Sequence, residues 1–137
     1  MKSPFIIFFS SLLIMFIACH QYDVDVHNLS VNQFEKQMRA LLNHCIIDVR
    51  TPEEYQEGHI HNAININVDN ADFETQIQKL NKNKSFLVYC RSGRRSNNAI
   101  QKMIKLGFYK VYNLDGGIIA WQNEKKAISK ISTPLNK

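Results

Sequence analysis

Ser85-Phe86-Leu87-Val88-Tyr89-Cys90-Arg91-Ser92-Gly93-Arg94-Arg95-Ser96 opens on an apolar run, passes through a cysteine into a basic loop with one glycine, and leads into a helical pattern. Phe86 to Tyr89 lacks polar alternation, as expected of a strand covered on both faces. From Arg95 onward Ala99, Ile100, Met103 and Ile104 recur at helical spacing as far as Leu106, and Gly107 supplies the stop. A strand that runs through a short loop into a helix is one unit of an α/β sheet. Its loop lies at the carboxyl end of the strand, where such sheets bind their ligands.

The same alternation extends in both directions. Val24, Val26 and Leu29 read as an edge strand, and Ser30-Val31-Asn32-Gln33 has the form of a capping box. The helix it opens is expected to turn Phe34, Met38, Leu41 and Leu42 to one apolar face. Cys45 to Val49 is a second covered strand, and Thr51-Pro52-Glu53-Glu54 supplies a cap and a first-turn Pro for a short helix ending before Gly58. Ala63 to Val68 alternates like a strand, and Phe73, Ile77 and Leu80 form a helical stripe. Val111 to Asn113 is a further strand, Gly116-Gly117 a turn, and Ile118 to Gln122 begins a last helix. Strands and helices in this order predict a parallel sheet of about five strands with helices on both faces. The 137 residues suit one domain, taken as residues 19–124. Residues 125–137, rich in Lys, Ser and Asn, are expected to form a loosely ordered polar tail.

Residues 1–18 differ from the rest. Lys2 is their only charge, and Phe5 to Ile17 is apolar apart from Ser10 and Ser11. A charged start, a short apolar run and a small residue are the parts of an export signal, and a spanning helix needs ~20 residues. Ala18-Cys19 closes the segment in the manner of a bacterial lipobox, although Phe16 stands where Leu is more usual. Three readings stay open: a lipoprotein acylated at Cys19, a soluble product cut nearby, or an uncleaved anchor. Each takes the chain out of the cytoplasm. The expected location is the periplasmic side of a membrane, lipid-anchored or soluble.

Taking Lys2 from the 17 basic residues leaves 16 against 12 acidic ones, a net of +4. No basic run alternates with aromatics, so nucleic acid is not an expected partner. The five His form no tight ligand set, and a metal is not expected.

The three arginines at 91, 94 and 95 crowd beside Cys90. Backbone N–H groups turned inward by the loop, the positive end of the helix dipole and these guanidinium groups all favour a thiolate over a thiol. Gly93 is expected to let the backbone bend where a Cβ would clash. Cys90 therefore reads as a reactive nucleophile. Cys45 starts its strand while Cys90 ends another, so in parallel neighbours their Cα atoms lie ~10 Å apart, beyond the ~7 Å reach of a disulfide. Cys45 reads as packing.

Three segments, in order, resemble the rhodanese (sulfurtransferase) homology domain. They are Asp48-Val49-Arg50-Thr51-Pro52-Glu53-Glu54-Tyr55 with Gly58-His59-Ile60 and Ala63-Ile64-Asn65; Tyr89-Cys90-Arg91-Ser92-Gly93-Arg94-Arg95-Ser96; and Gly107-Phe108 through Val111-Tyr112-Asn113-Leu114-Asp115-Gly116-Gly117 to Trp121. The chain departs from the family at His61-Asn62, where Pro-Gly is common. The resemblance implies a sulfur-transfer cycle in which Cys90 takes a sulfane sulfur from a donor such as thiosulfate and passes it, as a persulfide, to cyanide or a thiol. The amides of Arg91, Ser92, Gly93, Arg94 and Arg95 would cradle that sulfur, and the arginines would attract an anionic donor. Asp48, Arg50 and Glu54 would make capping and ion-pair contacts, and His59 would belong to a structural turn. The sulfur-transfer chemistry that the resemblance implies demands no cofactor, and a monomer is expected. Two other functions fit the same fold: a rhodanese-like module that binds or senses without turnover, and a cysteine phosphatase. The four residues between Cys90 and Arg95 are one fewer than a phosphate cradle uses, which disfavours the phosphatase.

Overall fold

The computed structural model describes residues 25–131. The export segment 1–18, Cys19 and residues 132–137 lie outside the described residues. Strands β1 (Asp25–Leu29), β2 (His44–Asp48), β3 (Ala63–Asn65), β4 (Ser85–Tyr89) and β5 (Lys110–Leu114) alternate with helices α1 (Val31–Ala40), α2 (Pro52–Glu57), α3 (Phe73–Gln78), α4 (Arg94–Lys105) and α5 (Gly117–Asn123). The strands form one parallel sheet in the order β1-β5-β4-β2-β3. The strand with the most uniform apolar run is the central one, and all five of its residues are buried.

Period-two alternation divides the core. Phe86 and Val88 of β4 meet Phe73 and Ile77 of α3 and Ala99, Ile100 and Met103 of α4. On the other face Leu87 and Tyr89 meet Phe34 of α1 and Ile118 and Trp121 of α5. Fully burying a side chain of this size contributes roughly 1.5–3 kcal/mol, so these two layers carry most of the stabilisation.

Both capping boxes form as the sequence suggests. Ser30 N–H donates to Gln33 Oε1 at 2.9 Å and Gln33 N–H to Ser30 Oγ at 3.4 Å. Thr51 N–H donates to Glu54 Oε2 at 3.1 Å and Glu54 N–H to Thr51 Oγ1 at 3.3 Å, with Pro52 in the first turn.

Three expectations need correction. Leu42 is fully exposed, because α1 ends at Ala40 and Leu41 is already extended, so the helical face never reaches position 42. The third strand stops at Asn65, although Ile66 and Val68 stay buried as the chain leaves the sheet edge. The segment after α5 is not loose over its first part. Trp121 Nε1–H donates to the Ala127 carbonyl at 2.9 Å, and His59 and Ser129 exchange two backbone hydrogen bonds at 2.9 and 2.8 Å. Lys126 meets Glu35 at 2.7 Å, but a partly exposed ion pair contributes at most ~1 kcal/mol. The packing of Ile128 against the core and the paired backbone outweigh it.

β2 and β4 are parallel neighbours with Cys45 opposite Phe86, which places Cys90 four residues further along. At ~3.3 Å per residue that separation forbids a disulfide, and both thiols are free. Cys45 packs against the α3/α4 side of the core, where burial pushes its thiol above the ordinary value.

Candidate active site

Cys90 follows directly on β4, at the carboxyl edge of the central strand, and α4 begins four residues later at Arg94. Gly93 is the N-cap of α4, with φ +99°. A Cβ there would meet only ordinary contacts at 3.6–3.8 Å, so the position needs glycine for its left-handed backbone and not for lack of room. No side chain caps the helix. Its first N–H groups are left for another acceptor, and the cysteine sulfur fills that role.

Gly93 N–H donates to Cys90 Sγ at 3.0 Å. Ser96 Oγ lies 3.4 Å from the same sulfur and 3.0 Å from the Gly93 carbonyl, with one hydrogen to serve either. Cys90 is 1% exposed. Burial by itself pushes the thiol up, but hydrogen bonds from the Ser96 hydroxyl and from the amides of Ser96, Ser92 and Gly93 outweigh it, and the net position is below the ordinary thiol value. Gly93 N–H supplies one of the inward-facing loop amides expected from the sequence. The main lowering contacts also include Ser96, which the sequence reading did not count as part of the cradle. Its position one residue past the loop, in the first turn of the helix, is the signal that marks it.

The arginines divide into two kinds. Arg95 turns away from open solvent and grips Glu54 with both guanidinium arms, at 2.7 Å each. That contact holds the Glu54 carboxyl down to about 2. Since Glu54 also closes the Thr51 capping box, one carboxylate ties the start of α2 to the start of α4. Arg91 and Arg94 are exposed. Together with Ser92, Arg95 and Asp69 they line a depression of about 300 Å³ over the loop, predominantly cationic and suited to a small anion. The start of α5 braces the other side, with Ile118 and Ile119 N–H donating to the carbonyls of Cys90 and Arg91 at 2.9 and 3.2 Å. A Cβ on Gly117 would come within 2.5 Å of those carbonyls, so the helix approaches the loop as closely as a backbone can.

Behind the loop lies a buried ion pair. Arg50 donates to Asp48 from Nε at 2.9 and 3.1 Å and from Nη2 at 2.6 Å, and Nη2 also reaches the Gly58 carbonyl at 2.6 Å. The Tyr89 ring lies under the Arg50 guanidinium, 5.7 Å from its centroid, and its hydroxyl accepts the Ile60 N–H at 3.0 Å. His59 stacks on Tyr55 with ring centroids 3.9 Å apart and is held by its backbone bridge to Ser129. Asp48, Arg50 and Glu54 thus make the capping and ion-pair contacts the resemblance implied, whereas His59 lies in a bridge to Ser129 and not in the implied turn.

Residues 30–124 match the family described as the rhodanese-like domain. The putative sulfurtransferase YtwF of Bacillus subtilis is 33% identical over 103 residues, covering 75% of this chain and 97% of that protein. The thiosulfate sulfurtransferase GlpE of Shewanella oneidensis is 39% identical over 95 residues, covering 69% of this chain and 90% of its own length. Among solved structures, a rhodanese-related protein from Thermoplasma volcanium superposes with a TM-score of 0.67 at 26% identity, covering 75% of this chain and 97% of that one.

Proposed function

The chain belongs to the rhodanese-like domain family, and from that premise we propose that it transfers sulfane sulfur through a persulfide on Cys90. The observation that carries this reading is the Cys90 sulfur under the loop, accepting the Gly93 N–H at 3.0 Å with the Ser96 hydroxyl beside it. A sulfur held in this way is a ready thiolate. It attacks the outer sulfur of thiosulfate; a new S–S bond forms, the donor's S–S bond breaks, and sulfite leaves with the electron pair. Arg91 and Arg94 draw the dianion in and favour the developing charge on the leaving group, while the loop amides face the sulfur that remains. A thiolate or cyanide then removes the outer sulfur and returns Cys90 to its anionic form. No proton has to move to a separate base, and no cofactor is called for. The loop suits sulfur better than phosphate because its four-residue spacing from Cys90 to Arg95 leaves a smaller cradle.

The test is to incubate the protein with thiosulfate and measure intact mass. The expected result is a gain of one sulfur atom, mapped to the peptide holding Cys90 and removed by cyanide as thiocyanate. Absence of an adduct with thiosulfate and with polysulfide would favour a binding or sensing module instead. Aryl-phosphate turnover dependent on Cys90 would favour a phosphatase.

We also propose, on the sequence of residues 1–19, that the protein is exported and held at the periplasmic side of a membrane by acylation of Cys19, working there as a monomer. Labelled fatty acid is expected to enter the wild-type protein expressed in a bacterium and not the Cys19→Ala variant. Equal labelling of the two, or none in either, overturns the lipid anchor.

A further inference from the structure

A second depression, of about 360 Å³, opens on the other side of the loop, between the end of α2 and the start of α5; Arg50, Glu57, Gly58, Arg91, Ile119 and Gln122 are among its lining residues. It shares Arg91 with the cationic depression, so the two flank the same stretch of loop. Their chemistry differs. Arg50 is committed to Asp48 and Gly58, and Glu54, which also reaches this side, is committed to Arg95 and Thr51. Glu57 and Arg91 are both exposed, and neither has an ion-pair partner among the described residues. Ile119, 39% exposed, adds an aliphatic wall.

One uncommitted carboxylate, one uncommitted guanidinium and an aliphatic side chain around a small depression match a zwitterion with a short apolar stem. Resting on the sulfur-transfer reading, we propose that this depression is the acceptor subsite and takes a small amino-acid thiol, its ammonium toward Glu57 and its carboxylate toward Arg91. The acceptor thiolate attacks the outer sulfur of the Cys90 persulfide. A bond forms between those two sulfurs, the bond to Sγ breaks, and its electron pair returns to Sγ, where the Gly93 N–H receives it. The acceptor leaves as a persulfide, and no external oxidant or reductant takes part. Donor and acceptor then use opposite sides of the loop, and the anionic donor is kept from the side that carries Glu57.

The experiment compares discharge of the preformed persulfide by cysteamine, which carries the ammonium alone, L-cysteine, which carries both charges, and neutral 2-mercaptoethanol, in the wild type and in Glu57→Gln. Ratios within each enzyme remove any change in the reactivity of the persulfide itself, and comparing those ratios between the two enzymes cancels the intrinsic reactivity of the thiols. The ratios of cysteamine and of L-cysteine to 2-mercaptoethanol are expected to fall about two- to fivefold in Glu57→Gln, the range of an exposed ion pair, and the difference is expected to shrink at high salt. A second measurement needs no sulfur loading: the rate at which the Cys90 thiolate forms a mixed disulfide with cystamine, relative to bis(2-hydroxyethyl) disulfide, is expected to fall by a similar factor. If thiosulfate and polysulfide fail to load Cys90 while the cystamine ratio still responds, the catalytic reading fails and the cationic-thiol subsite stands. If the persulfide loads and neither ratio responds to Glu57→Gln, the subsite is overturned and sulfur transfer stands.

Discussion

Cys90→Ser is expected to lower sulfur transfer from thiosulfate to cyanide by about 10³-fold or more, because a serine hydroxyl does not ionise in the working pH range and cannot form a persulfide. The fold should survive: the replacement is smaller by a fraction of an atom, and its oxygen can accept the Gly93 N–H that now meets the sulfur. A companion variant tests how the thiolate is held. Ser96→Ala removes the hydroxyl 3.4 Å from Sγ, and hydrogen bonds to charged groups contribute about 1.5–3 kcal/mol. The native thiol lies below its ordinary pKa, with the Ser96 hydroxyl the largest lowering contact. Losing it raises the pKa, so the pH profile of Cys90 alkylation moves to higher pH and the rate at neutral pH falls. Activity retained in Cys90→Ser would refute the nucleophile, and an unmoved alkylation profile in Ser96→Ala would refute the hydroxyl's part in holding it.

The second large effect is on stability. Asp48 is fully buried and the Arg50 side chain is 6% exposed. Asp48→Ala leaves that guanidinium without its carboxylate, and breaking a buried pair from one side costs about 3–5 kcal/mol. The damage would reach further, since Arg50 also holds the Gly58 carbonyl and lies over the Tyr89 ring. Urea unfolding is expected to show a midpoint lowered accordingly. Asp48→Ala combined with Arg50→Met should recover part of the loss, because no charge is then left buried. A single-variant cost below about 1 kcal/mol, or a double variant less stable than the single, would contradict this account.

Much of the architecture was legible because local chemistry and tertiary packing agree. Phe86 to Tyr89 had to be a covered strand on its composition, and it is the central one. Ser30 and Thr51 capped the helices they were expected to cap, since a capping box is satisfied within four residues. Where the chain misled, the deciding contact was distant. Leu42 continued the apolar period past the end of its helix. Lys126 to Ser129 looked like solvated tail, yet their partners are Glu35, Trp121 and His59, contributed by other elements.

The site divides along the same line. The order of residues alone determined that a cysteine stands at the carboxyl end of a covered strand, that a glycine able to take a positive φ lies three residues on, and that a helix starts behind it; each is a short-range property of the backbone. Only the tertiary structure decided that Ser96 reaches back to the sulfur, that Arg95 is spent on Glu54 from 41 residues away, and that Arg91 is left between two depressions of different character. The physical reason is that hydrogen bonds and ion pairs form between groups that packing brings within about 3 Å, and separation along the chain places no limit on which groups those are.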